Sequence, residues 1–197
     1  MRILKMYPSS INEEYIDTLV KALQDGETIV IPTDSRYVLA CNALNNRAVE
    51  HICHLKDIDP RKHPLSILCA DISQASEYVR IDNRAFTILK DSLPGPFTFI
   101  LPSSPRLPKV FKGRKEVGTR IPDNEIARRI ATELGNPLMV STVNWTGADD
   151  DDTLLPAAIA DALDNDVSYL VDTGEASSQL TTIIDLTDSS SPVTVRQ

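Results

Sequence analysis

Short β-branched runs alternating with amphipathic helical stretches constrain this chain most. Residues 12–25 place Ile16, Leu19, Val20 and Leu23 at helical spacing and stop at Gly26; Thr28-Ile29-Val30-Ile31 then follows as a continuous apolar run. Such a run reads as a strand buried on both faces. Pro32-Thr33-Asp34-Ser35 breaks it, and an extended pattern resumes over 37–41. The alternation continues with a helix over 46–55, a strand over 65–69, and helices over 71–78 and 82–92 closed by Pro94-Gly95-Pro96. Strands over 97–101 and 117–121, a helix over 124–134 ended by Gly135, and a strand over 138–142 come next. A helix near 156–163 and short strands over 168–171, 181–186 and 193–196 complete the chain. This mixing predicts an α/β sheet with crossover helices. With 197 residues and no linker or repeat, one domain spanning 1–197 is expected. No apolar run approaches the roughly 20 residues of a bilayer span, so no membrane partner is expected. Glu13 and Glu14 arrive too early for a signal peptide, so a cytoplasmic location is expected.

Charge is divided unevenly. The formal net charge is −8, but residues 148–197 hold eleven acids against Arg196, which is −10, so the remainder carries +2. Within that remainder, 106–129 holds eight cations against three acids, a local +5. With a Debye length of about 8 Å, a basic patch on an acidic protein still attracts phosphate. Lys109, Lys112, Arg114 and Lys115 are candidates for contacts to RNA; a solvated surface is the plainer reading of the same residues.

Several chemistries have no signature. Seven glycines are present, none in a P-loop or a GxGxxG pattern. His51 and His54 share a helical face while Cys53 points elsewhere, which does not make a metal site. Ser35, Ser66 and Ser141 lack a nucleophile elbow, and Cys41, Cys53 and Cys69 read as reduced, buried thiols. What remains is polar residues at strand ends. Arg120 sits inside the apolar run Val117 to Pro122, and a buried guanidinium needs an anionic partner. An internal carboxylate and a ligand phosphate would answer it equally well. Ser141, Thr142 and Asn144 end another strand in hydroxyl and amide groups suited to a carboxylate, phosphate or ribose.

Six segments in order, TIVIPTDSRYVLAC (28–41), Leu55-Lys56 with Pro64-Leu65, PGPFTFIL (94–101), VGTRIP (117–122), STVNWTG (141–147) and TTIIDLT (181–187), resemble the YrdC/YciO family over most of the chain. The resemblance implies a single α/β domain, a twisted mixed β-sheet with flanking helices and an open concave, positively charged surface. It also implies a threonylcarbamoyl-AMP synthase-like activity. L-threonine, bicarbonate and ATP with Mg²⁺ would give threonylcarbamoyl-adenylate and pyrophosphate for the t6A modification of tRNA. No protein nucleophile or resident metal is implied, only positioning and electrostatics. Carried over by position, Thr33, Arg120 and Thr182 would hold substrate. Lys56, Thr98, Ser141, Thr142, Asn144 and Arg196 would hold nucleotide. Lys56 falls at the lysine of the family's KxR motif, but the chain reads Lys56-Asp57-Ile58, losing a cation and gaining a carboxylate, which weakens triphosphate binding. Arg61 and Lys62 are candidates to restore that charge. These departures bring the chain closest to the YciO branch. Two other readings remain: a non-catalytic tRNA- or double-stranded-RNA-binding or ribosome-associated module, and a different activity on an adenylate or carbamoyl compound in the same cleft.

Overall fold

A computed structural model describes residues 1–113 and 115–196, except for the side chain of Lys112. Among the described residues, ten strands form one mixed sheet: β1 (Arg2–Lys5), β2 (Ile29–Ile31), β3 (Val38–Asn42), β4 (Ser66–Leu68), β5 (Phe97–Pro102), β6 (Glu116–Arg120), β7 (Leu138–Thr142), β8 (Tyr169–Asp172), β9 (Thr182–Asp185) and β10 (Val193–Arg196). Their spatial order is β1-β8-β2-β3-β7-β4-β6-β5-β9-β10, with parallel and antiparallel neighbours mixed along it. Six α-helices among the described residues flank it: α1 (Glu13–Gln24), α2 (Asn46–Leu55), α3 (Ile72–Tyr78), α4 (Asn83–Ser92), α5 (Glu125–Leu134) and α6 (Pro156–Leu163). The helix starts are chemically marked. Asn12, Asn45, Asp71, Asp82 and Asn124 each cap one, their side-chain oxygens accepting backbone N–H groups of the first turn. Gly135 ends α5 in the left-handed region at φ 70°, where a side chain would be strained.

The alternation of side chains along a strand sorts the core into two layers. Ile29, Ile31, Val38, Ala40, Leu68, Leu138 and Val140 face α1 and α5, which pack together and carry Ile16, Leu19, Leu23, Ile126 and Ile130 into that layer. Arg129 of α5 also pairs with Glu13 beside α1's first turn at 3.1 Å. Val30, Leu39, Cys41, Ile67 and Met139 face the opposite way, into a cluster with Val49 and Ile52 of α2 and Ile159 and Leu163 of α6. All three cysteines are free and buried in these layers, where burial pushes the thiols of Cys41 and Cys69 far up.

The helices and the inner strands fall where the hydrophobic periodicity puts them. One strand, β1, was not anticipated. Arg2–Lys5 has a single buried residue, Leu4, and gains its place only by pairing in parallel with β8, far away in sequence. The acidic C-terminal quarter is spread over outer surfaces: Asp164 pairs with the N-terminal amine and Asp150 with Arg36. Among the described residues, no helix is long and apolar enough to cross a membrane.

Candidate functional site

The face of the sheet that α1 and α5 cover does not end where those helices end. By register, Ser66 lies opposite both Val140 and Gly118, Thr142 lies opposite Val38, and Ile100 opposite Gly118. Ser66, Gly118, Arg120, Thr142 and Thr98 therefore continue the same face beyond the helical cover. Residues there change from apolar to hydroxyl-bearing and cationic. A cleft of about 210 Å³ opens on this stretch, lined by Ser66, Thr98, Arg120, Thr142, Thr181 and Arg196, with Ile58, Leu65 and Ile183 as apolar walls. Val38 and Val140 belong both to the helix-covered core and to the cleft wall, so they mark the boundary.

Gly118 makes this floor possible. A Cβ there would stand 2.5 Å from the Ser66 hydroxyl and 3.2 Å from a Thr98 methyl carbon, so only glycine lets both side chains meet across the strand. Thr98 Oγ1 lies 3.1 Å from Thr181 Oγ1, and Arg196 donates through Nη2 to the Thr181 hydroxyl and carbonyl at 3.2 and 3.1 Å. The hydroxyl pair and the guanidinium form one connected row.

Arg120 is 5% exposed. An internal carboxylate answers it: Nη2 donates to Asp34 Oδ1 and Ser35 Oγ, both at 3.1 Å, and lies 3.5 Å from Thr33 Oγ1. The other Asp34 oxygen accepts the Asp123 N–H at 2.8 Å. Burial pulls the Arg120 guanidinium below the usual arginine range, Asp34 opposes that, and nearby Arg196 adds to it. Among the described residues its Nε is buried without a hydrogen-bond partner. The turn over 33–36 is equally well tied. Thr33 donates to the Arg36 carbonyl at 2.7 Å and accepts from the Ser35 N–H at 3.1 Å. Arg36 in turn reaches Asp150 at 3.1 Å and the Ser178 carbonyl at 3.3 Å, strapping two later loops to the turn. Thr33 thus sits beside Arg120, with its own proton committed to the turn.

Lys56 caps α2 and donates from Nζ to the Thr142 carbonyl at 2.9 Å; burial lowers its pKa to about 8. The next residue, Asp57, takes φ 49°, left-handed and non-glycine. The Asp57 N–H bonds to the His54 carbonyl and the Ile58 N–H to the Cys53 carbonyl, a paired helix stop that usually takes glycine. That stop turns Ile58 inward, where it packs on the core and lines the cleft.

Not every expected residue is brought together. Arg61 lines a separate hollow with Glu50, Asp57, Asp59 and Lys62, and its guanidinium meets Asp59 through Nε at 3.0 Å and Nη2 at 3.1 Å. Neither Arg61 nor Lys62 lines the cleft, whereas Ile58 does. Thr182 pairs with Phe97 in the sheet and does not line the cleft, while its neighbours Thr181 and Ile183 do. One residue of register reverses the face. Ser141 lines the cleft, whereas Asn144, two residues past β7, is exposed and outside the lining. Lys109 and Lys115 are exposed on the segment between β5 and β6 and are not among the residues lining the cleft; Arg114 and the Lys112 side chain lie outside the described residues. The sequence reading missed Ser66, Thr181 and Ile58 as lining residues; Ser66 was visible only as a hydroxyl interrupting an apolar run.

Over residues 21–197 the sequence matches the family model Sua5/YciO/YrdC, described as Telomere recombination. The chain belongs to the Sua5/YciO/YrdC family. It is 34% identical over 194 residues to YciO of Escherichia coli, covering 98% of this chain and 93% of that protein. The crystal structure of E. coli YciO superposes on the whole of this chain with a TM-score of 0.90, covering 96% of that chain. The chain is also similar to P. abyssi Sua5 complexed with L-threonine: 28% identity, TM-score 0.89, covering 100% of this chain and 57% of that one. The family fold expected from the six segments, a twisted, open mixed sheet with flanking helices, is the one observed.

Proposed function

We propose that this chain handles threonylcarbamoyl-adenylate, as a threonylcarbamoyl-AMP synthase-like protein acting on L-threonine, bicarbonate and ATP. The observation that carries this reading is the cleft itself. It is lined by two arginines and a row of hydroxyls, has no carboxylate among the described residues that line it, and lies on a family fold whose Sua5 member is known in complex with L-threonine. An acid-free cationic cleft suits carboxylate and phosphate ligands. Similarity to the threonylcarbamoyl-AMP synthase of Bacillus subtilis, 33% identical over 141 residues, also supports the assignment; that match covers 70% of this chain and 40% of the synthase.

The chemistry asks little of the protein beyond placement. The threonine amine attacks the carbon of bicarbonate, losing water to give a carbamate, and a carbamate oxygen then attacks the α-phosphorus of ATP, expelling pyrophosphate. Charge builds on carboxylate and phosphoryl oxygens throughout, so Arg120, Arg196 and Lys56 would contribute by stabilising it, and Thr98, Thr181 and Ser66 by orienting it. Magnesium would arrive on the ATP phosphates as part of the substrate. Ile58, Leu65 and Ile183 would exclude water from one side.

The test is pyrophosphate release from ATP with L-threonine and bicarbonate each withheld in turn. Release requiring both, and reduced about tenfold or more by Arg196→Met, is the expected outcome. Release indifferent to threonine and bicarbonate would overturn the assignment.

A further inference from the structure

We infer that this cleft selects a singly or doubly charged phosphoryl ester, an acyl-adenylate or nucleoside monophosphate, over a nucleoside triphosphate. The inference rests on reading the cleft as an adenylate site, and it comes from a count of charges within and beside it. Arg120 and Arg196 line the cleft, but Arg120 is already matched by Asp34 at 3.1 Å. Arg196 donates only to Thr181, with no carboxylate partner among the described residues. Lys56, outside the lining but bonded to the carbonyl of the lining residue Thr142, adds one more charge beside the cleft. The uncompensated charge is therefore about two, enough for one phosphate group with its ester.

What lies beyond the cleft enforces the limit. Ile58 is the shared wall between the cleft and the neighbouring hollow. That hollow holds Glu50, Asp57 and Asp59 against Arg61 and Lys62, a formal −1 with its histidines neutral, and Asp59 already engages Arg61 in two hydrogen bonds. Phosphates extending past Ile58 would leave hydroxyl and guanidinium donors, cross an aliphatic side chain and meet carboxylates. Each extra phosphate brings about one more negative charge to a hollow whose formal charge is already −1 and whose Arg61 is held by Asp59, and a charge that loses water without a matching partner is costly.

Calorimetric titration of the full chain with AMP, ADP and ATP, each with magnesium, tests this, alongside Ile58→Arg and Arg196→Met checked for folding by thermal melting. AMP is expected to bind about tenfold or more tighter than ATP, with ADP between them. Ile58→Arg should raise the affinity for ATP more than that for AMP, narrowing the ratio between them about tenfold, and Arg196→Met should weaken AMP about tenfold. ATP binding as tightly as AMP in the unaltered protein would overturn the inference while leaving the adenylate reading intact. Absence of binding by all three nucleotides would overturn both. Should Ile58→Arg fail to fold, the AMP to ATP ratio of the unaltered chain decides alone.

Discussion

One face of one sheet does two jobs in this protein, and the boundary between them runs across individual strands. Along β4, Leu68 is buried beneath α1 and α5 whereas Ser66, two residues earlier and on the same face, lines the cleft. Along β7, Leu138 and Val140 belong to the core and Thr142 lies beyond it. Backbone geometry is the same in both halves; what differs is whether a helix lies above. Under a helix, burial favours aliphatic side chains by about 25 cal/mol for each Å² removed from water. Where no helix lies above, the same positions are free to carry hydroxyls and guanidinium groups, and the paired strands hold them rigidly. In this chain the uncovered end of a sheet is where function can be read.

Substitutions on the two sides should therefore separate stability from binding. The largest stability loss is expected from Leu68→Ala under the helices, about 3 kcal/mol in urea unfolding, with adenine-nucleotide affinity little changed in the folded protein. Arg120→Met sits on the boundary and should cost about 3 kcal/mol as well, because Asp34 is left buried without its partner, and it should also abolish ligand binding. A calorimetric response surviving Arg120→Met would break the comparison. Gly118→Ala, which drives a Cβ to 2.5 Å from the Ser66 hydroxyl, is expected to cost about 1–2 kcal/mol and to lower ligand affinity by narrowing the floor.

Lys56 predicts a pH signature. Its amine is charged below about pH 8 and neutral above, so affinity for an anionic ligand should fall as pH rises through 8. Stability moves the other way. The folded state releases this proton before the unfolded chain does, so the contribution of Lys56 to stability rises from about pH 8 towards the ordinary lysine value of 10.5. Titrating binding and unfolding of Lys56→Met should show both slopes reduced. The smallest effect is expected at Asp57→Gly, which relieves a non-glycine residue at φ 49° and should raise thermal stability by about 0.5–1 kcal/mol without entering the cleft.

Much of this architecture is legible in residue order because its signals are local. Helical spacing over 12–25 and the β-branched run at 29–31 each mark an element independently of the rest of the chain. β1 is not legible, since Arg2–Lys5 has one buried residue and its partner strand begins at Tyr169. For the site, Arg120 stands out because a guanidinium inside an apolar strand must be answered, but whether a carboxylate or a ligand answers it depends on Asp34, which only folding brings near. Thr181 and Thr182 are adjacent hydroxyls, and register alone decides which one faces the cleft. Arg61 looks like a free cation in sequence and is instead held by Asp59, two residues away.

The most direct test of the claim that the uncovered half of the face is the ligand site is a crystal structure with a non-hydrolysable threonylcarbamoyl-adenylate analogue. The account predicts its phosphoryl group beside Arg196 and the Thr98–Thr181 pair, with the amino-acid end directed towards Arg120 and the turn at 33–36. Density for the analogue in the hollow lined by Asp57, Asp59 and Arg61, with the cleft empty, would contradict it.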